Sequence, residues 1–314
     1  MSFTAEVKDE LSRVEGVSAD CALAELSALM RICGTMSYHG PGRYSIRIAT
    51  ETGSVARTAM RLVHKYLDLQ TLLTVRRSVQ RKTRNYLIEI PEQPELADDL
   101  VDLGILVPGR GLASGVPKEL LAREEAVCAF VRGAFMAGGF VADPRGDFHL
   151  EIAVTGESFA HDIVSLVERL GAHARLNHRR GSYAIYLKSF EDVRRLLLRM
   201  GAERSARAVE NVRQLKNVKN DVNRRVNAEL ANGRRSSRSG ADQLHLIGRV
   251  ANKVGLQDLP PALREFCELR VRYPEMSLAD LGKLCDPAAS KSAMYHRVLR
   301  LQQMVADDGE TETR

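Results

Sequence analysis

Side chains that can contact nucleic acid cluster around residue 290, where a helix is predicted to begin. Apolar residues at Met294, Val298, Leu301 and Val305 are spaced three or four apart, which predicts a helix with one buried face. The opposite face carries hydroxyl, ammonium, imidazole and guanidinium groups that can donate to phosphates and base edges. The candidate DNA-contacting residues of this region are Ser277, Ser290, Lys291, Ser292, Tyr295, His296, Arg297 and Arg300.

These residues lie in a segment whose pattern predicts a helix-turn-helix. Ser277 is placed to cap a short helix over residues 278–284, and Ser290 is placed to cap a longer one. Residues 285–289 form a tight connector between them, and the N-terminus of the second helix is where a recognition helix meets the major groove. A plain helical hairpin with solvated charges is the alternative that the pattern leaves open.

The positive charge of the chain is concentrated in one segment. The whole chain carries +6, whereas residues 199–238 contain eleven Lys and Arg against four acidic residues, a net charge of +7. Such clustering indicates a polyanionic partner, with a solvated helix face as the alternative. We predict one long helix over residues 203–230 and a flexible basic linker over residues 232–240. The candidate phosphate contacts are Arg224, Arg225, Arg234, Arg235 and Arg238.

Composition excludes several classes of protein. Hydrophobic residues make up 44% and charged residues 27%, as in an ordinary globular protein. No apolar run reaches about 18 residues and the N-terminus has no apolar signal core, so we expect a cytoplasmic protein that does not enter membranes. The absence of Trp disfavours a base-stacking single-strand binder. Five cysteines without a C-x-x-C pair predict neither zinc nor disulfides, and we expect no metal and no cofactor.

The first two hundred residues contain an internal repeat. The order helix, strand, helix, strand, strand, helix is predicted twice, on either side of a Gly- and Pro-rich linker at residues 104–121. The strand Ile46-Arg47-Ile48-Ala49 corresponds to Leu150-Glu151-Ile152-Ala153. The helix that ends at Gly34 corresponds to the helix that ends at Gly139. We therefore predict a duplicated α+β domain.

This duplicated half resembles the LAGLIDADG homing endonucleases. That resemblance implies two motif helices packed at a pseudo-twofold axis, each with a terminal acidic residue that holds the catalytic metal. The aligned motifs are residues 28–34 and 133–139, which place the two acidic positions at Cys33 and Gly138. Neither residue supplies the hard oxygen ligand that Mg²⁺ requires, so we expect no enzyme activity.

Several short motifs are spread along the whole chain. They include Ser2-Phe3-Thr4, Arg132-Gly133-Ala134-Phe135, Asp143-Pro144, Asn223-Arg224 with Asn227, and Ser290-Lys291-Ser292 with His296-Arg297. In these motifs the chain resembles the WhiA transcription regulators, which are known as sporulation regulators in filamentous actinobacteria. The resemblance implies a degenerate endonuclease-like domain fused to an all-α helix-turn-helix domain similar to the promoter-reading region 4 of sigma factors. It also implies promoter DNA as ligand, control of sporulation, cell division or chromosome segregation, and a WhiB-type regulator and RNA polymerase holoenzyme as partners.

The predicted organisation begins with a first repeat over residues 1–103, a linker over 104–121 and a second repeat over 122–200. The basic helix and its flexible linker follow over 203–240. A helix-turn-helix domain over 241–306 and an acidic tail over 307–314 complete it. Three hypotheses follow for function. The first is a nucleoid-associated, monomeric, sequence-specific regulator, and the second is an active endonuclease. The third treats residues 1–200, whose charges sum to about zero, as a protein- or ligand-binding module that no longer touches DNA.

Overall fold

The chain folds as two compact units, Met1–Lys216 and Asn217–Arg314. The computed structural model describes residues 2–15, 17–77 and 84–306, apart from the side chains of residues 228, 229 and 231–237. The predicted acidic tail, residues 307–314, lies outside the described residues. No helix in the described ranges is long and apolar enough to cross a membrane.

Both repeats of the N-terminal unit fold alike, after a leading helix α1 at Phe3–Leu11. The first consists of α2 Ala19–Cys33, β1 Gly34–Gly40, β2 Arg43–Thr50, α3 Gly53–Tyr66, β3 Leu72–Arg77, β4 Arg84–Ile90 and α4 Leu96–Asp102. The second consists of α5 Glu124–Gly138, β7 Gly139–Val141, β8 Leu150–Val154, α6 Glu157–Arg169, β9 Arg175–Arg179, β10 Ser182–Leu187 and α7 Phe190–Met200. The antiparallel sheets have equivalent orders, β1-β2-β4-β3 and β7-β8-β10-β9, which confirms the α+β duplication.

Each repeat contains one strand more than the sequence pattern predicts. Gly34 and Gly139 follow the last residues of α2 and α5, and their backbones are already extended, with φ near −93° and −84°. Each glycine therefore begins a strand at once, and β1 pairs with β2 from Gly34 opposite Ile48. The predicted element order omitted this strand, because no turn residue separates it from the helix before it.

The core of this unit lies between α2 and α5. Their facing surfaces contain small side chains, including Ala24, Ala28 and Ala129, all of them buried. At Gly133 a Cβ atom would overlap the carbonyl oxygen of Glu25 on the opposite helix, so only glycine permits this approach. Alternating strand residues such as Ile46, Ile48, Ile88 and Ile152 pack beneath the two helices.

The segment between the repeats is not an open linker. Residues 104–121 contain a hairpin of two short strands, β5 Leu106–Val107 and β6 Gly111–Leu112. Ile105, Leu106 and Leu121 are buried in the main core. The Gly and Pro residues that suggested a linker make turns in a packed segment, and Gly104, Gly109 and Gly111 have positive φ angles.

The predicted flexible linker at residues 232–240 was also wrong, since α8 runs without a break from Glu203 to Lys253. No proline interrupts this stretch. Within this stretch, Gly240 packs closely against the backbone of Pro274, whose carbonyl oxygen a Cβ at residue 240 would overlap. Beyond it, Leu246, Ile247 and Val250 are buried in the C-terminal core.

After α8, the described part of the C-terminal unit contains a short 3-10 helix at Leu256–Asp258, then α9 Pro261–Arg272, α10 Leu278–Lys283 and α11 Lys291–Ala306. Its core contains Phe266, Leu281, Met294 and Leu301. The loop between α9 and α10 is organised by Arg270, which is almost fully buried. Arg270 donates to the carbonyl oxygens of residues 273, 274 and 276 at 3.2, 3.1 and 2.7 Å, and to Gln243 Oε1 at 2.9 Å.

Candidate nucleic-acid interface

The turn between α10 and α11 is built by short backbone contacts. The N–H of Ala289 donates to the carbonyl of Gly282 at 2.8 Å. A Cβ at residue 282 would overlap the carbonyl oxygen of Ala289, so glycine is required where the turn crosses the short helix. The predicted caps are confirmed, because Ser277 Oγ accepts from the N–H of Asp280 at 3.2 Å and Ser290 Oγ accepts from that of Ala293 at 3.2 Å.

Glu265 on α9 fixes the position of this turn. Its Oε1 accepts from the N–H of Asp286 at 2.9 Å, and its Oε2 accepts from Arg297 Nη1 at 3.0 Å. The hydrogen bond from Asp286 and the nearby guanidinium hold the pKa of Glu265 below its ordinary value, against a smaller opposing effect of burial. One carboxylate therefore joins α9 to both the turn and α11.

The exposed face of α11 presents a set of donors. Met294, Val298 and Leu301 are buried, which turns the opposite side of the helix outward. That side has no acidic residue between Lys291 and Ala306. Tyr295 is 53% exposed, and its ring lies 6.5 Å from the imidazole of His296, measured between centroids. The predicted contacts on this face are Lys291, Ser292, Tyr295, His296 and Arg300, all exposed.

Arg297 does not belong with this set. Its side chain is only 17% exposed, and it is committed to Glu265 and, at 3.4 Å, to Cys285 Sγ. Arg297 lies at the edge of the buried face, where it anchors α11 to α9. Its assignment as a DNA contact stays a prediction, while Ser277 and Ser290 have capping roles that the sequence also indicated.

The basic residues of α8 have differing surroundings. Arg224 pairs with Asp221 at 2.5 Å, while Arg225 and Arg238 are exposed and have no ion pair within the described part of the chain. The side chains of Arg234 and Arg235 lie outside the described residues. Earlier along the helix, Lys216 Nζ donates to the carbonyl of Gly146, and the guanidinium of Arg213 lies 4.6 Å from the ring centroid of Phe190. The basic side chains of α8 thus include some that make contacts within the protein and others that are exposed to solvent.

The two positions that the sequence aligns with catalytic acids, Cys33 and Gly138, offer no oxygen ligand from their side chains to a metal ion. Cys33 Sγ contacts the carbonyl of Leu29 at 3.1 Å, and burial raises the pKa of this thiol to about 11. At Gly138 a Cβ would overlap the carbonyl oxygen of Ala153, so a carboxylate does not fit there. Within the described ranges, no group of three His, Cys, Asp or Glu residues is arranged to hold a metal ion.

Sequence reasoning missed Glu265, Arg270 and Gly282 as residues that shape the interface. Glu265 and Arg297 lie 32 residues apart, and Gln243 lies 27 residues from Arg270, so no local spacing pairs them. The other three acceptors of Arg270 are backbone carbonyls of the loop after α9, which no side-chain pattern reveals. Gly282 gave a weak signal. Glycine lowers helix propensity, so its presence inside a short helix suggests that close packing requires it.

Known protein families match the chain almost from end to end. The model of the WhiA N-terminal LAGLIDADG-like domain matches residues 19–106, that of the WhiA LAGLIDADG-like domain matches 127–219, and that of the WhiA C-terminal HTH domain matches 222–305.

Curated relatives and a solved structure agree with these matches. The "Probable cell division protein WhiA" of Heliobacterium modesticaldum is 38% identical over 97% of this chain and 96% of its own length. That of Clostridium novyi is 33% identical over 98% of each. The crystal structure of full-length WhiA from Thermatoga maritima shares the fold, with a TM-score of 0.61 and 24% identity over 98% of this chain and 99% of its own. The chain belongs to the WhiA family.

Proposed function

We propose that the protein is a sequence-specific DNA-binding transcription regulator that reads promoters through α11. The observation that carries this proposal is the acid-free donor face of α11, next to a turn fixed by Gly282 and Glu265. In a helix-turn-helix, the second helix enters the major groove with its N-terminal residues on base edges. Lys291, Ser292, Tyr295 and His296 occupy that part of α11, and Arg300 follows one turn later.

The exposed cations of α8 would add affinity for the DNA backbone that does not depend on sequence. Arg225 and Arg238 are assigned to phosphates, together with Arg224 once it leaves Asp221, and Arg234 and Arg235 are assigned by sequence alone. Each phosphate contact releases counterions, so affinity should fall steeply with salt. The regulated genes would be those of cell division, as the name of the curated relatives suggests, and of sporulation or chromosome segregation.

The N-terminal unit is proposed to be catalytically inactive. The support is chemical: a protonated thiol at Cys33 and no room for any side chain at Gly138. Hydrolysis assisted by two metals needs carboxylates at both positions. The unit would instead serve regulation, through contact with a protein partner or a small ligand.

Partners and assembly follow from the same proposal. A WhiB-type regulator and RNA polymerase holoenzyme would act together with the protein at promoters, and the protein would be associated with the nucleoid. The two repeats supply both halves of the α2–α5 interface, so a monomer completes the fold without a second copy.

The decisive experiment incubates the purified full chain with sheared genomic DNA and Mg²⁺, and sequences the interiors and ends of the bound fragments. A shared short motif with random ends is the expected result. Fragment ends that recur at one site would overturn the proposal that the N-terminal unit is catalytically inactive and would favour an endonuclease. Absence of any enrichment over genomic background would contradict sequence reading by the protein alone.

A further inference from the structure

A cavity of about 330 Å³ lies beside the end of α2. Its walls come from α2, β1 and β2 of the first repeat, from the hairpin that connects the repeats, and from the loop before α6. The apolar lining residues are Met30, Met36, Ile46, Ile105, Leu112 and Phe159. Cavities of this size and character accommodate small molecules.

Leu112 is the most exposed apolar residue of this lining. It belongs to β6 and is 65% exposed, although its neighbours Ile105 and Phe159 are largely buried. An exposed leucine at the rim of an apolar cavity loses contact with water when a ligand covers it, and this favours binding.

Arg31 gives the cavity a charge. Its Nη1 donates to the carbonyl of Ala113 at 3.3 Å and its Nη2 donates to the carbonyl of Gly104, while its guanidinium lies 5.7 Å from the ring centroid of Phe159. These acceptors are neutral, and Nε is buried without a hydrogen-bond partner. A guanidinium has five N–H donors, so its capacity is far from used.

No carboxylate forms an ion pair with Arg31 within the part of the chain that the structure describes. Asp162, whose Oδ2 accepts from the N–H of Val116 at 2.9 Å, acts on Arg31 through its charge without forming an ion pair with it. Burial lowers the pKa of Arg31 to about 10, and the charge of Asp162 opposes this effect. The cavity therefore combines apolar walls with a partly buried cation that has no counter-charge in contact.

We propose that this cavity binds a small monocarboxylate with a short apolar body, which places its carboxylate against the Nη groups of Arg31 and its chain against Phe159 and Leu112. Hydrogen bonds between guanidinium and carboxylate are charge-assisted and stronger than those to the backbone carbonyls. Arg31 also holds both ends of the hairpin, through Gly104 and Ala113, so an occupant would act directly on the segment that joins the repeats.

The test is calorimetric titration of the full chain, without DNA, with octanoate and with octanamide as the uncharged analogue. Octanoate should bind saturably with one site per chain, and octanamide should bind about tenfold or more weakly, as expected when a charged hydrogen-bond partner is lost. Equal affinity for the two compounds, or no heat with either at millimolar concentration, would overturn the proposal.

Variants locate the binding. Arg31→Gln should weaken octanoate binding about tenfold. Its matched control is Arg169→Gln, because Arg169 also donates to a backbone carbonyl, that of Leu121, but away from the cavity. Should Arg31→Gln not fold, Leu112→Ser provides an independent test. It should weaken binding about threefold, whereas Leu72→Ser, at a leucine of similar exposure on β3, should not. Unchanged affinity in a folded Arg31→Gln or in Leu112→Ser would refute the assigned site.

Discussion

Arg132 on α5 donates from Nη2 to Glu25 Oε2 on α2 at 2.6 Å, across the interface between the two repeats. Its Nε reaches the same oxygen at 3.0 Å, and its Nη1 donates to the carbonyl of Met200 at 3.3 Å. The two side chains are 5% and 3% exposed. This ion pair is thus a buried polar link between α2 and α5, next to the close approach of the two helices at Gly133.

Loss of one partner of this pair should destabilise the N-terminal unit strongly. Arg132→Met leaves the Glu25 carboxylate buried without its cation, and the expected loss is about 3–5 kcal/mol of unfolding free energy. Urea unfolding followed by circular dichroism measures it. The double variant Glu25→Met with Arg132→Met should recover a large part of the loss, since neither charge remains. A double variant as unstable as the single one would contradict this account.

Stability of the C-terminal unit should depend on pH through Glu265. Because the folded pKa lies below the ordinary value, the carboxylate contributes stability above about pH 4.3, and this contribution disappears as the pH falls through the folded pKa. Glu265→Gln should cost about 1–2 kcal/mol at neutral pH. Thermal unfolding of wild type and variant at neutral and acidic pH measures the difference, which should shrink in acid. A difference that does not change with pH would assign the loss to packing instead.

Gly282 should tolerate no side chain. Gly282→Ala places a Cβ against the carbonyl of Ala289, and we expect a loss of about 1–3 kcal/mol together with weaker DNA binding. Gly248→Ala is the matched control, because no atom lies within 4 Å of the added Cβ on α8. That variant should be stabilised by about 0.5–1 kcal/mol from helix propensity. Chemical denaturation of both variants gives the comparison, and equal stabilities would refute the close-packed turn.

Arg300 and Arg225 should contribute to DNA binding in different ways. Arg300→Ala should weaken binding to the specific site by about 1–3 kcal/mol and relax the preference at one base pair. Arg225→Ala should weaken binding to all sequences alike and reduce the salt-dependence slope by about 1. Fluorescence anisotropy with specific and scrambled duplexes over a salt series separates the two effects. An Arg300→Ala variant with unchanged sequence preference would exclude it as a base contact.

The duplication and the capped helices could be predicted from sequence because they depend on local spacing. The heptad-like positions of Met294, Val298 and Leu301 placed α11 correctly, and Ser277 and Ser290 marked the starts of their helices. The ion pair of Arg297 could not be predicted, since its partner Glu265 is 32 residues away along the chain, and helical spacing alone does not distinguish a charge at the boundary of the buried face from one in solvent.

Glycine was the main source of error in the connections. Gly34 indicated a helix end but not the strand that it begins, and the glycines of residues 104–121 suggested an open linker where a hairpin packs. The glycines at 233 and 240 suggested a flexible segment, although α8 continues through both and packs closely against Pro274 at Gly240. Each of these outcomes depends on what the backbone meets in three dimensions.

The packing at Gly138 also has an evolutionary consequence. A single codon change that introduces an acidic residue there would bring its Cβ into the Ala153 carbonyl of β8. Any side chain at this position would therefore need a concerted shift of the sheet. The contact between β8 and the end of α5 thus restricts residue 138 to glycine, and substitutions there are expected only together with changes in β8.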